Sequence, residues 1–302
     1  MRVDPLYVPN LVGSLDQVST TEQTLSAELS SGSRVSQLSD DPGAAADNVV
    51  LTAQIAQDDT FTQTASTTEG RLQVADSTLG SVVSQLTQAI ALATQANNGT
   101  LNSSNVIGIS NQLAGIRDEI LSLANTSYLG SYIFSGSQGA TQPFTLDTTG
   151  SPAVATYHGD DVTTSVQTPA GQSIATNLPG GALFAAGGTG TDVFATLNAL
   201  VADFAGGSSS AASIADTESL STALGHVSDQ RVTLDNSLTA LQSAATHTQS
   251  ESTQLLSAQT TLLEADYGQV STRLNAAETQ QTALYDVIAT LEKGSLFDYV
   301  SP

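Results

Sequence analysis

Three Asp-Asp pairs, Asp40-Asp41, Asp58-Asp59 and Asp160-Asp161, are the residues best suited by type to do chemistry. Paired carboxylates can hold a divalent cation or divide acid and base roles between them. None of the three pairs has calcium-loop spacing, and each reads more simply as a helix cap, a turn or solvated surface. The histidines, His158, His226 and His247, are scattered and make no ligand motif. The chain has no cysteine, which excludes thiolate catalysis, disulfides and Cys-based metal sites. Serine is abundant, but no Gly-x-Ser-x-Gly elbow supports hydrolysis. Gly180-Gly181 and Gly187-Gly188 lack the Lys-Ser/Thr of a phosphate-binding loop. The sequence therefore predicts no catalytic residue, no metal and no cofactor.

The charge balance points the same way. Seven Lys+Arg stand against 29 Asp+Glu, a formal net charge of −22. Binding to nucleic acid or to an anionic membrane is driven by Lys and Arg, so neither is an expected partner. Among so few cations, Arg34 sits beside a helix break and close to Asp40-Asp41. It can pair with a carboxylate of a neighbouring subunit, or locally within the chain. The N-terminus MRVDPLYVPN has no apolar core of signal-peptide length, and no stretch approaches a transmembrane span. A cytosolic protein, or one that leaves without a cleaved signal, is the expectation.

These residues must be carried by helices. The 302-residue chain suggests two or three domains, and it is 39% hydrophobic and only 5% aromatic, without Trp. Apolar residues recur at alternating spacings of four and three from Leu256 through Leu263, Val270, Leu274, Leu284 and Ile288 to Leu291. This predicts one helix from about Leu255 to Leu291, roughly 50 Å long, lying along a partner of equal length. Leu11, Leu15, Val18, Glu22, Leu25 and Leu29 repeat the spacing near the other end and supply that partner. The first run breaks at Gly32 and at Ser39-Asp40-Asp41-Pro42, where Pro42 opens a new helix and one of the three preceding residues caps it. A weakly apolar stretch from Ala44 to Thr67 leads to a clear seam from Leu72 to Ala96. Asn97-Asn98-Gly99 turns the chain, and a third seam runs from Val106 to Leu123, completing an αα-hairpin.

At Tyr128 the helical period stops. Short strand-like runs follow at Ser131–Ser135, Phe144–Leu146, Ala153–Tyr157 and Val162–Gln167, with turns at Gly159-Asp160-Asp161 and Pro169-Ala170-Gly171. A short helix carries Val193 to Phe204, Gly206–Ser210 reads as a flexible linker, and a helix from about Ile214 feeds the closing seam. The expected fold is mainly α: an elongated, nested helical bundle or coiled coil formed by both chain ends, with a small β-rich insertion. The expected divisions are 1–42 with 262–302, 43–130 with 191–261, and the insertion 131–190.

Several stretches carry a family resemblance. Leu29-Ser30-Ser31-Gly32-Ser33-Arg34-Val35, followed by Ser39-Asp40-Asp41-Pro42-Gly43-Ala44-Ala45, resembles the N-terminal signature of the flagellin superfamily. Tyr132-Ile133-Phe134-Ser135-Gly136, Tyr157-His158-Gly159-Asp160 and the C-terminal Ser295-Leu296-Phe297-Asp298-Tyr299-Val300 are similar to its hook-associated branch. Met1-Arg2-Val3-Asp4-Pro5 departs from the family pattern. The resemblance implies a structural protein of the bacterial flagellum, an adaptor between hook and filament. It further implies export without a cleaved signal and an extracellular place on the organelle. The implied partners are copies of the chain in a ring, a hook-side hook-associated protein, flagellin and an export chaperone.

In such a protein the two chain ends would order on assembly, because a thin seam buries too little to offset its own ordering entropy. The interface residues expected on this basis are Leu11, Leu15, Val18, Leu25, Leu29, Arg34, Leu263, Val270, Leu274, Leu284, Ile288 and Leu291. The sequons at Asn98, Asn102 and Asn125 are read as coincidental in a bacterial structural protein. A filament-forming flagellin, and a secreted enzyme or adhesin whose β insertion binds a ligand, are the alternative readings.

Overall fold

A computed structural model describes residues 7–184 and 192–293. Met1–Pro5, Gly187-Gly188 and Ser295–Val300, singled out above, lie outside the described residues. Seven helices dominate what is described: α1 (Tyr7–Ser31), α2 (Pro42–Asn97), α3 (Ser103–Ala124), α4 (Gly180–Phe184), α5 (Val193–Ala205), α6 (Ala211–Leu263) and α7 (Tyr267–Lys293). Between α3 and α4 lie six short strands, β1 (Ser127–Tyr128), β2 (Ser131–Tyr132), β3 (Phe144–Asp147), β4 (Val154–Tyr157), β5 (Ser165–Gln167) and β6 (Ser173–Ala175). No helix among the described residues is long and apolar enough to cross a membrane. The chain divides into two compact units, residues 1–56 with 251–302, and residues 57–250. Helices α2 and α6 each contribute to both.

In the first unit α1 packs against α7, with Leu25, Ala265 and Val270 at the centre and Leu29 and Leu274 at the margin. The pairing is antiparallel: Glu22 meets Gln281, and Ser33 meets Glu264 at the opposite end. Asp41, of the three candidate caps, starts α2; its Oδ1 accepts from the backbone N–H groups of Gly43 and Ala44 at 3.1 and 3.0 Å.

The expected single helix from Leu255 to Leu291 is corrected to two. α6 stops at Leu263 and α7 begins at Tyr267. Asp266 Oδ1 caps the new helix, accepting from the N–H groups of Gly268 and Gln269 at 2.9 and 3.0 Å. The three intervening residues turn their backbone to the break after α1. Arg34 N–H donates to Leu263 O at 2.7 Å, and Ala265 N–H donates to Gly32 O at 3.0 Å.

The second unit holds the larger core. The predicted seam Leu72, Ala75, Leu79, Val82, Leu86, Ala89, Ala93 and Ala96 is buried throughout, on a helix that runs unbroken from Pro42. On α3, Val106, Ile109, Leu113, Ile116 and Ile120 are buried in the same cluster, joined by Leu197, Leu200 and Phe204 of α5 and by Val227, Leu234 and Leu241 of α6. The strands form three separate antiparallel hairpins, β1–β2, β3–β4 and β5–β6. The expected run Ser131–Ser135 is strand only at Ser131–Tyr132; the following Ile133, Phe134 and Ser135 are buried. Phe134, Phe144, Tyr157, Phe184 and Phe194 stack with ring centroids 5.0–6.0 Å apart, a spacing at which aromatic edges meet faces. Gly180 sits against this cluster, where a β-carbon would lie 2.8 Å from Phe134 O and 2.9 Å from the Phe144 ring.

The expected flexible linker at Gly206–Ser210 is instead a tight cap. Gly207, at φ 77°, donates to Phe204 O, and Ser210 and Ser213 exchange side-chain and backbone hydrogen bonds at 2.9 and 3.0 Å to open α6. Because Leu86 is fully buried at the centre of the second unit, Leu86→Ala should lower the unfolding free energy by about 3 kcal/mol through lost transfer energy and a residual cavity. Urea denaturation followed by circular dichroism measures it.

Candidate assembly surface

The residues expected at an assembly interface fall on α1, on α7 and at the break between them. Val18, Leu25 and Val270 are buried; Leu11, Leu15, Leu29, Leu263, Leu274, Leu284 and Ile288 are half-buried. Leu291 belongs to the last turn of α7, and its side chain lies outside the described residues. The α1–α7 pair thus covers one narrow stripe and leaves apolar groups outside it. Val12, Tyr267, Tyr285 and Val287 are exposed on these two helices, as are Leu38, Val49, Val50 and Leu256 on neighbouring segments of the same unit. Glu22 interrupts the stripe. Its Oε2 accepts from Gln281 Nε2 at 2.8 Å, while Oε1 is buried without a partner.

Arg34 takes the local option left open by the sequence. Its Nη1 meets Asp41 Oδ2 at 2.9 Å and its Nη2 donates to Leu262 O at 3.2 Å, yet the side chain stays 45% exposed. Asp41 is held below the usual carboxylate range by the Ala44 N–H first and by Arg34 second. Asp40 is lowered as well, chiefly by the N–H groups of Gln37 and Ser36. Both carboxylates of this pair therefore organise the turn before α2.

Asp160, His158, His226, Asn102 and Asn125 have structural roles. Asp160 accepts from the N–H groups of Ser137 and Val162 and from the Ser137 hydroxyl, which contributes most to lowering its pKa. His158 Nε2 meets Thr145 Oγ1, and His226 Nε2 meets Ala182 O, each at 2.7 Å. Asn102 caps α3 through Asn105 N–H, and Asn125 brackets both backbone groups of Phe144. Among the described residues no group of three or more His, Asp and Glu could hold a metal ion.

Sequence reasoning missed two polar contacts in the second unit. Arg231 grips Asp76 with Nε–Oδ1 2.6 Å and Nη2–Oδ2 3.1 Å, a two-pronged pair between α6 and α2. Arg117, almost wholly buried, donates to Asn198 Oδ1 and to Asp118, so α3 and α5 meet around a guanidinium. A single Arg on a helix face gives no signal of its partner.

The two paired chain ends, the helical middle and the small insertion define a class. Residues 10–139 match the family model described as the bacterial flagellin N-terminal helical region. Two curated relatives are more particular. Flagellar hook-associated protein 3 of Salmonella typhimurium is 30% identical over 161 residues, which cover 53% of this chain and 49% of that protein. The protein of the same name from Escherichia coli is 35% identical over 118 residues, covering 39% of this chain and 37% of its own length. The chain thus spans about half, or less, of the curated relatives it matches. Among solved structures, a putative flagellar hook-associated protein from Vibrio parahaemolyticus superposes with TM-score 0.64 at 19% identity, over 74% of this chain and 99% of that one. Flagellar hook-associated protein 3 of Legionella pneumophila gives 0.62 at 16% identity, over 70% and 98%. The fold is shared with these proteins, and the hook-associated resemblance read from the sequence agrees with the curated matches.

The lowered carboxylates set a pH dependence. A group whose folded-state pKa lies below its unfolded value stabilises the fold above the unfolded value, near pH 4, and that contribution is lost as pH falls through the folded value. Asp40, Asp41, Asp147 and Asp160 are of this kind, and so is Asp76, lowered first by its hydrogen bond from Arg231. Asp216, raised by burial and then by Asp203, opposes them weakly. The urea midpoint should fall as pH drops from about 5 to about 3. Asp76→Asn should lower the midpoint at neutral pH and flatten that acid limb.

Proposed function

We propose that this chain is a structural protein of the bacterial flagellum, an adaptor at the hook–filament junction with no active site. The observation that carries the reading is the α1–α7 pair. It joins the two ends of the described chain along one thin stripe, and it leaves Val12, Tyr267, Tyr285 and Val287 uncovered. Such a surface is completed by more helices of the same kind. On this reading residues 1–42 with 262–302 form the assembly segment, and Leu11, Leu15, Val18, Leu25, Leu29, Leu263, Leu274, Leu284, Ile288 and Leu291 lie in or beside its helix contacts. Copies of the chain in a ring, a hook-side hook-associated protein and flagellin supply the cover. Export without a cleaved signal, with a chaperone holding the unpaired ends, fits a chain whose ends finish only on assembly. The curated relatives, both named flagellar hook-associated protein 3, support the junction over other positions on the organelle.

A filament-forming flagellin is the second reading, favoured by the flagellin description of the matched N-terminal region. Immunolabelling of intact flagella separates the two: label confined to the base of the filament supports the junction, and label along the whole length supports flagellin. A form lacking residues 1–42 and 262–302 should unfold cooperatively and remain monomeric. Added to flagella stripped of their filaments, it should not restore filament attachment, whereas the full chain should. Attachment by the truncated form would overturn the proposal.

A further inference from the structure

The connection between α2 and α3 holds a reactive pair of residues outside both the core and the helix stripe. Asn98-Gly99 is the single Asn-Gly step in the chain. It lies just past Asn97, the last residue of α2, and before Asn102, the cap of α3. Both residues are exposed. Gly99 has φ 65°, and a β-carbon built on it would meet nothing within 4 Å. With no side chain branching beside it, the Gly99 backbone nitrogen is open to approach. Among the described residues its N–H donates to no acceptor, and the Asn98 side-chain amide makes no hydrogen bond.

The chemistry open to this pair is an acyl transfer within the chain, with nucleophile and electrophile tethered side by side. The Gly99 nitrogen attacks Cγ of Asn98. The new N–Cγ bond forms, the Cγ–Nδ2 bond breaks, and Nδ2 leaves as ammonia, taking the proton from the attacking nitrogen. Water then opens the five-membered succinimide. Opening at Cγ restores the original main chain and gives an aspartate at position 98. Opening at the main-chain carbonyl gives an isoaspartate, whose backbone is longer by one carbon. Water is the only co-reactant. Other asparagines show what sets this pair apart. Asn97 Nδ2 donates to Ser213 O and Thr217 Oγ1 at 3.2 and 3.0 Å, and its Oδ1 accepts from Ser213 Oγ at 2.7 Å. Asn102 Oδ1 accepts from Asn105 N–H at 2.9 Å. Asn125 holds both backbone groups of Phe144, and buried Asn177 is bonded to Thr164, Gly136 and Val162. Each of these amides must leave a partner before it can react, and each is followed by a residue that carries a side chain.

We propose that Asn98 is a site of spontaneous deamidation, the place where the folded chain converts a neutral amide into a carboxylate. The product adds a negative charge to a chain whose formal charge is already −22. It adds it just past a helix whose last turn has no basic residue to offset it.

The test incubates the full chain at mildly alkaline pH, folded in buffer and, in parallel, unfolded in guanidinium chloride. Peptide mass spectrometry after proteolysis measures conversion at each asparagine, and ion-exchange chromatography follows the acidic form. A site already open in the native state reacts without a prior opening step. Asn98 should therefore convert in the folded chain at a rate within about threefold of its rate in denaturant, and conversion in the folded chain should be confined to the peptide that carries it. Asn98→Gln keeps the amide but must close a six-membered ring, and it should abolish the new acidic form. Gly99→Ala, which places a β-carbon beside the attacking nitrogen, should slow conversion several-fold in denaturant as well as in the folded chain. No conversion at Asn98 in the folded chain, or a rate there about tenfold or more below that in denaturant, overturns the proposal. Conversion chiefly at another asparagine, or an acidic form that persists in Asn98→Gln, overturns it too.

Discussion

Two breaks in the chain meet, and the terminal unit depends on that meeting. After α1 the backbone at Gly32–Arg34 lies against the backbone at Leu263–Ala265 between α6 and α7, joined by Arg34 N–H to Leu263 O and Ala265 N–H to Gly32 O. The Ser33 hydroxyl adds a contact to the same Leu263 carbonyl, and Arg34 reaches Leu262 O. Helix ends carry unsatisfied backbone groups. Here the C-terminal end of α6 and the exit from α1 satisfy each other across some 230 positions of sequence. The bridge fixes where α1 and α7 begin to run together, and therefore which residues share the stripe from Leu25 and Val270 to Glu22 and Gln281.

The two units are stabilised in different ways. The 57–250 unit has a continuous core from Leu72 to Leu241, an aromatic cluster under the insertion and polar clamps at Arg231–Asp76 and Arg117–Asn198. The terminal unit has a small cluster of three buried residues and two at the margin, with an orphaned Glu22 oxygen in its stripe. A buried carboxylate oxygen without a donor costs free energy unless a partner arrives. Ordering two long helices also costs conformational entropy that a stripe this narrow offsets poorly. The terminal unit is therefore held by far less buried apolar surface than the 57–250 unit.

Much of this was legible in the sequence, and the reasons for the exceptions are specific. The seams of α2 and α3 could be read because helical period and burial coincide from Leu72 to Ala96 and from Val106 to Ile120. The break at Glu264–Asp266 could not, since no Gly or Pro marks it and the single bridge it makes, to Ser33, lies some 230 positions away in sequence. Asp266 was the one available signal, as a capping residue two positions before Gly268. Strand β6 escaped notice because Ser173-Ile174-Ala175 is short and makes sense only when paired with β5. Gly206–Ser210 has a linker's composition, but the reciprocal bonds of Ser210 and Ser213 make it a cap. Arg34 pairs with Asp41 of its own chain, a choice that spacing alone could not make against a carboxylate elsewhere.

The small α1–α7 cluster implies a surface left incomplete in the free chain, whereas the 57–250 unit has a complete core. Hydrogen exchange followed by mass spectrometry on the free full-length chain measures this directly. Amides of α1 and α7 should exchange orders of magnitude faster than those of α3 and of α2 from Leu72 to Ala96. Protection of α1 and α7 equal to that of the α2–α3 core, in a chain shown to be monomeric, would contradict it.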